Sequence, residues 1–133
     1  MKYLIDTHIL IWFELPSPKL KSNILAILTD PTNEIYVSQV SLFEIAVKQN
    51  IGKTPELNWD TETIVKQIQK DKFDLLNIQN QHIQEYITLP FFDQHKDPFD
   101  RLIIATAISE NLPIVSADEK FKLYGSLINL IEA

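Results

Sequence analysis

Cysteine is absent from this 133-residue chain, glycine occurs twice and arginine once. The lack of cysteine excludes disulfides and thiolate zinc sites, and it fits the cytosol. With so little glycine, no low-complexity run and no internal repeat, nothing reads as a linker. Long hydrophobic runs are also missing: no stretch approaches the roughly 18 apolar residues that a membrane helix needs. Met1 to Glu14 imitates a secretion signal, with Lys2 followed by apolar residues. Asp6 and His8 interrupt that run, and no small-residue cleavage site follows. The expectation is a cytoplasmic protein without a membrane span.

What is present is ordinary for a globular protein. Hydrophobic residues make up 45% of the chain and charged residues 23%, and the length suits one domain, residues 1–133, with a core of its own. Twelve basic residues face eighteen acidic ones, for a net charge of −6. That balance argues against a simple basic nucleic-acid binder. Two bound divalent cations would offset four of those six charges, so an RNA substrate is disfavoured but not excluded. The one arginine, Arg101, stands beside Asp100; the other basic residues are lysines.

Hydrophobic period and turn signals alternate between strand and helix along the chain. Lys2 to Asp6 reads as a buried strand, and Thr7 to Leu15 as a helix stopped by Pro16 and Pro18. Lys19 to Thr29 is amphipathic and ends at Asp30-Pro31. Glu34 to Ser38 is a second strand, and Val40 to Ile51 a helix closed by Gly52. Asp60 or Thr61 caps a helix to about Lys70, before a third strand, Asp74 to Ile78. A helix from about Asn80 to Thr88 stops before Pro90. Asp97 at the N-cap and Pro98 at the first helical position open a helix to Asn111. Ile114 to Ser116 is a fourth strand, Glu119 to Tyr124 a short helix, and Leu127 to Leu130 a last strand after the turn at Gly125. Such alternation predicts an α/β fold, a parallel sheet covered on both faces. Ligands of these sheets bind beyond the carboxyl ends of the strands.

Four acids stand among apolar neighbours, where an ionised carboxylate has no packing rationale: Asp6, Glu44, Asp100 and Asp118. A charge removed from water finds a cation or a metal, and four converging carboxylates suit a hard divalent cation. Each acid also has a plainer explanation. Asp6 caps the helix that follows it, and Asp118 does the same for its own short helix. Glu44 has Lys48 four residues on, a pair contributing about 0.3–0.5 kcal/mol on an exposed face. Against that, Val40, Val47 and Ile51 lie within about 60° of Glu44 at 3.6 residues per turn, so its face reads as buried. Asp100 suits a helix N-terminus, worth about 0.3–1 kcal/mol, yet Ile103, Ile104 and Ala107 share its side. Asp97 has a sufficient task as N-cap, with Arg101 four residues on as an ion-pair partner.

The three histidines show no metal-ligand spacing. His8 is expected beside the site, and His82 and His95 on the surface or in loops. Trp12, Phe13 and Phe43 read as core, and Ser38 and Ser41 as caps.

Taken together, Leu4-Ile5-Asp6-Thr7-His8-Ile9-Leu10-Ile11-Trp12, Ser41-Leu42-Phe43-Glu44-Ile45-Ala46-Val47-Lys48, His95-Lys96-Asp97-Pro98-Phe99-Asp100-Arg101-Leu102-Ile103-Ile104-Ala105 and Ser116-Ala117-Asp118 resemble a PIN domain, in order and in spacing from Met1 to about Leu130. The Asp-Thr-His opening with a tryptophan shortly after is similar to the VapC-type toxins of bacterial toxin–antitoxin pairs. The resemblance implies an α/β/α sandwich and Mg²⁺- or Mn²⁺-dependent endoribonuclease activity that leaves a 5′-phosphate and a 3′-hydroxyl. It implies an acidic site of Asp6, Glu44, Asp100 and Asp118, with Asp97 an extra acid and Thr7 and Ser116 at hydroxyl positions near the metal. No acid of the set is missing. It implies, too, a cognate antitoxin laid along the groove and a homodimeric toxin. Arg101 and Lys48 are then candidates for phosphate contacts, in competition with their pairings above.

A reading of a different class is a non-enzymatic module that keeps the fold and binds a basic peptide in its acidic groove; the net charge favours it and the complete acid set opposes it. A haloacid-dehalogenase-like phosphatase needs a second Asp at position 8, which is His. A phospho-receiver needs an acidic pair near the first strand and an Asp ending the third, and neither is present.

Overall fold

The computed structural model describes residues 1–53 and 56–133. Five strands form one parallel sheet: β1 (Lys2–Ile5), β2 (Glu34–Ser38), β3 (Asp74–Leu76), β4 (Ile114–Ser116) and β5 (Leu130–Glu132), in the order β3-β2-β1-β4-β5. Leu4 sits opposite Tyr36 of β2 and Ile114 of β4, and Ile114 in turn opposite Leu130. The chain moves outward from β1 through β2 to β3, then returns to add β4 on the other side of β1. That reversal opens the crevice between β1 and β4 in which such sheets bind ligands.

Successive strand residues serve opposite faces. Ile5, Ile35, Val37 and Val115 enter one buried cluster; Leu4 and Ile114 enter the other, with Tyr36 packed against it. Since both faces are covered, strands read as continuous apolar runs rather than alternating ones. The first cluster is completed by α1 (Thr7–Glu14), α2 (Ser22–Thr29) and α4 (Thr61–Lys70), through Ile9, Leu10, Ile24, Leu28, Ile64 and Ile68. The second is completed by α6 (Pro98–Glu110), through Ile103, Ile104, Ala105 and Ala107, beneath α5 (Asn80–Ile87). α3 (Gln39–Asn50) lends Leu42 and Ile45 to one cluster and Val40 to the other. This is an α/β/α sandwich on a central parallel sheet.

Tertiary burial decides α1. Its Ile-Leu-Ile-Trp-Phe core costs a few tenths of a kcal/mol per residue in helix propensity, whereas burying Ile9 or Leu10 is worth roughly 1.5–3 kcal/mol each; both are fully buried. Helix ends follow local chemistry. Gly52 (φ +72) closes α3 with two reverse bonds, Gly52 N to Gln49 O and Lys53 N to Lys48 O.

Several boundaries differ from the sequence reading: β3 ends at Leu76 rather than Ile78, and the larger shifts are at α2 and around the last strand. α2 begins at Ser22 rather than Lys19, because Ser17 and Pro18 initiate a turn in which Leu20 N donates to Ser17 O at 3.1 Å and Lys19 N to Ser17 Oγ at 3.2 Å. The last strand is Leu130–Glu132 rather than Leu127–Leu130; a 3₁₀ segment, Glu119–Leu127, kinks at Gly125 and postpones pairing with β4. Among the described residues, no helix is long and apolar enough to cross a membrane.

Candidate active site

The carboxyl ends of β1 and β4, the second turn of α3 and the first turn of α6 supply the acids. Asp6 is the N-cap of α1: its Oδ1 accepts Ile9 N at 3.0 Å, and its Oδ2 accepts the Ser116 hydroxyl from the end of β4. The capping explanation of Asp6 therefore holds, and it leaves the carboxylate buried at the switch point. Asp118 repeats the arrangement, accepting Lys120 N at 2.9 Å while its own N–H donates to Ser116 Oγ at 3.0 Å.

Glu44 is 2% exposed. Thr7 Oγ1 donates to its Oε1 at 2.6 Å and Lys48 Nζ to its Oε2 at 2.7 Å. The Lys48 pair is thus no exposed-face ornament. Burial disfavours the Lys48 ammonium, and the Glu44 carboxylate more than offsets it, so the lysine pKa rises. Ser41, read as a cap, is instead buried within α3, its Oγ 2.9 Å from Thr7 Oγ1. Ser38 is the cap, accepting Val40 N at 3.1 Å.

Asp97 caps α6, its Oδ1 accepting Phe99 N at 2.8 Å. One ligand oxygen each from Glu44, Asp97 and Asp100 lies within 4.8 Å of the others, and the same holds for one ligand atom each of His95, Asp100 and Asp118. Asp100 belongs to both groups. Burial, then the charges of Asp97, Glu44, Asp6 and Asp118, push its pKa up to about 8. Burial also raises the pKa of Asp6, against the Ser116 and Ile9 hydrogen bonds, and Glu44 adds to the rise. Like charges gathered in a desolvated crevice are costly unless a cation joins them. A set of carboxylate oxygens of this kind fits a hard divalent cation such as Mg²⁺ or Mn²⁺.

Several expectations need correction. The Arg101 guanidinium pairs with neither Asp97 nor another acid of the crevice: the residue is 7% exposed, and its side chain donates to the Pro90 carbonyl and the Tyr124 hydroxyl. His82 and His95 are buried, not superficial, at 1% and 2% exposure. His82 lies 2.7 Å from Glu110, bracing α5 on α6. Phe43 is 60% exposed and meets Phe99 edge-on at 5.7 Å rather than joining the core. His8 is exposed beside Asp6, its ring 6.0 Å from that of Trp12. Sequence reasoning missed His95 and Tyr124 as neighbours of the acids. His95 lies five residues before Asp100, but its burial depends on Phe121 and Tyr124, far along the chain.

A parallel sheet covered by helices on both faces, with acids gathered at its switch point, offers oxygen donors of the kind a divalent cation takes. The PIN domain model matches residues 3–127, and the chain belongs to that family. No curated protein matches it by sequence. In fold it is similar to solved structures of VapBC2 from Rickettsia felis bound to a promoter DNA fragment (TM-score 0.71, 21% identity), VapBC-1 from nontypeable Haemophilus influenzae (0.64, 20%) and VapBC-5 from Mycobacterium tuberculosis, of the VapBC family of toxin–antitoxin systems (0.66, 15%). Each alignment covers 99% of this chain and 98% of the other.

Proposed function

We propose that this protein is a divalent-metal-dependent endoribonuclease, the toxin of a toxin–antitoxin pair. The observation that carries the reading is Asp100: a carboxylate shared by two ligand clusters and pushed up to about 8 by burial and four neighbouring acids. Such a site is built to exchange a proton for a cation.

Asp6, Glu44, Asp100 and Asp118 would hold Mg²⁺ or Mn²⁺, with Asp97 at the rim. The cation, once bound, neutralises charge developing on the phosphate and makes water a better nucleophile at neutral pH. The chain's own groups do the rest. Thr7 and Ser116 fix the Glu44 and Asp6 oxygens that face them, so the acids need little reorganisation when substrate arrives. Lys48, half-buried with its Nζ 2.7 Å from Glu44 Oε2, would meet a flanking phosphate. Water adds to phosphorus as the bond to O3′ breaks, and the departing O3′ takes up a proton, giving a 5′-phosphate and a 3′-hydroxyl.

An antitoxin partner is supported by the kind of complex to which the fold is similar. Phe43 and Ile51 of the α3 region, 60% and 56% exposed, offer apolar purchase beside the groove. A homodimer and a cytoplasmic location belong to the same proposal.

A second reading, the silent module holding a basic peptide, draws on Lys48: a lysine already occupies Glu44 at 2.7 Å, as a peptide lysine would. The deciding experiment is cleavage of a structured RNA pool by the purified chain with Mn²⁺ or Mg²⁺, with EDTA, and by Asp100→Asn. Metal-dependent fragments absent from the variant support the nuclease. Absence of both cleavage and calorimetric Mn²⁺ binding favours the module.

A further inference from the structure

The chain's one arginine supports the site from behind. Arg101 Nη1 donates to the Pro90 carbonyl at 3.0 Å and to the Tyr124 hydroxyl at 2.9 Å, and its guanidinium stands 5.3 Å over the Tyr86 ring. The Tyr124 oxygen lies 2.8 Å from His95 Nδ1. The other ring nitrogen, Nε2, lies 3.3 Å from Asp100 Oδ2. His95 and Tyr124 are each 2% exposed.

Counting protons gives this chain a direction. A guanidinium donates and never accepts, so Arg101 occupies a lone pair of Tyr124. The phenol has one proton of its own, and among the described residues His95 Nδ1 is the acceptor it reaches. Nδ1 is then an acceptor, and a neutral imidazole carries its proton on Nε2, the nitrogen that faces Asp100. A ring whose Nδ1 accepts the phenol proton carries a single proton of its own, so the direction of the hydrogen bonds by itself makes it neutral. A buried histidine with two partners is often no more than a satisfied core residue. Here one partner is the carboxylate common to both acidic clusters, and the other is anchored by a fixed positive charge.

We propose that His95 is a positioning residue: the directed chain Arg101 to Tyr124 to His95 fixes the Nε2–H tautomer and holds Asp100 Oδ2, leaving the other Asp100 oxygen for the cation. Its catalytic consequence rests on the nuclease reading, whereas the tautomer does not.

The test has three arms. Long-range ¹H–¹⁵N spectra of the labelled protein in EDTA near neutral pH report the tautomer, with His95→Gln identifying the signals. An Nε2–H ring is expected, and Tyr124→Phe, which removes the phenol proton, should give a tautomer mixture. By calorimetry, His95→Leu should weaken Mn²⁺ binding about 10–100-fold, the usual scale for an outer-shell partner of a ligand. In cleavage assays, His95→Leu should lower kcat on the same scale with KM for RNA unchanged, and His95→Gln, which keeps an N–H donor, should recover most of it. An Nδ1–H or charged ring in the wild type overturns the proposal, as do equal Mn²⁺ affinities for wild type and His95→Leu. A wild type that binds Mn²⁺ but cuts no RNA counts against the nuclease reading alone, and the spectra and calorimetry still decide His95.

Discussion

Thr7 and Glu44 lie 37 residues apart in sequence, yet Thr7 Oγ1 donates to Glu44 Oε1 at 2.6 Å across the junction of α1 and α3. Both residues are buried, and Lys48 takes the second Glu44 oxygen. The carboxylate is thereby satisfied without metal, which is how an acid persists on an apolar helix face. Thr7→Val keeps the shape and removes the donor. Losing a hydrogen bond to a charged group costs about 1.5–3 kcal/mol, so the urea midpoint should fall accordingly. Mn²⁺ affinity should fall with it. A valine variant equal to wild type in both would remove Thr7 from the site.

Asp100 opposes folding while it serves the proposed chemistry. Its pKa rises to about 8 because burial, then Asp97, Glu44, Asp6 and Asp118, disfavour the charged form. Asp100→Asn relieves that repulsion, and in EDTA it should stabilise the protein by about 1–2 kcal/mol, the familiar exchange of stability for activity. Saturating Mn²⁺ should reverse the order, since an ion bound only by the folded wild type stabilises it by mass action. Thermal melts of both proteins, with and without the metal, read the crossover. Parallel curves under the two conditions contradict the assignment.

A second carboxyl pair lies away from the site. Glu14, in the last turn of α1, meets Asp71, the C-cap of α4; burial first, then the hydrogen bond and charge of Asp71, push the Glu14 pKa up to about 9. Gln67 Nε2 supports Asp71 Oδ1 at 3.0 Å, while Glu14 Oε1 and Asp71 Oδ2 are buried with no donor from any other group among the described residues, so the proton between the two carboxyls is what satisfies them. The folded state therefore holds a proton that the unfolded state releases near 4.5, so stability should fall as pH rises from about 4.5 to about 9 and level off above. Glu14→Gln supplies an amide donor at every pH. It should outlast wild type in urea at pH 9 by about 1 kcal/mol, a figure reduced for solvent screening, and lose the advantage at pH 5. An advantage independent of pH would show that the pair does not share a proton.

What the sequence made legible was local. Asp97-Pro98 announces α6 because capping involves neighbours, and Gly52 ends α3 for the same reason. Asp6 and Asp118 stand out in the sequence because each follows a strand. What it hid came from distance. Arg101 sits four residues after Asp97, but its long side chain turns away to a carbonyl eleven residues back and a phenol 23 residues on. Phe43 reads as core by hydrophobicity, yet it projects about 100° from Glu44 around α3 and off the buried face. His95 is buried by Phe121 and Tyr124 of the 3₁₀ segment, and no periodicity records that contact.

Two glycines test how backbone strain is distributed. Gly52 has φ +72 and Gly125 has φ +52, and in neither case would an added Cβ meet any atom within 4 Å. Any cost of Gly→Ala is therefore conformational rather than steric. Gly52 ends a helix, and at equivalent helix ends this chain places Lys72 (φ 62) and Asn111 (φ 53). Side chains are evidently tolerated at such ends, so Gly52→Ala should cost only about 1 kcal/mol. Gly125 differs in its second angle: ψ is −129, outside the left-handed helical region and essentially reserved for glycine. Gly125→Ala should cost more, about 1–3 kcal/mol. It adjoins Tyr124, so the substitution should also loosen the phenol that anchors His95. Urea denaturation gives the two stabilities, and the tautomer spectrum of the Gly125 variant reads the second effect. If Gly52→Ala proves the more damaging, the turn after Tyr124 is not where the strain is held.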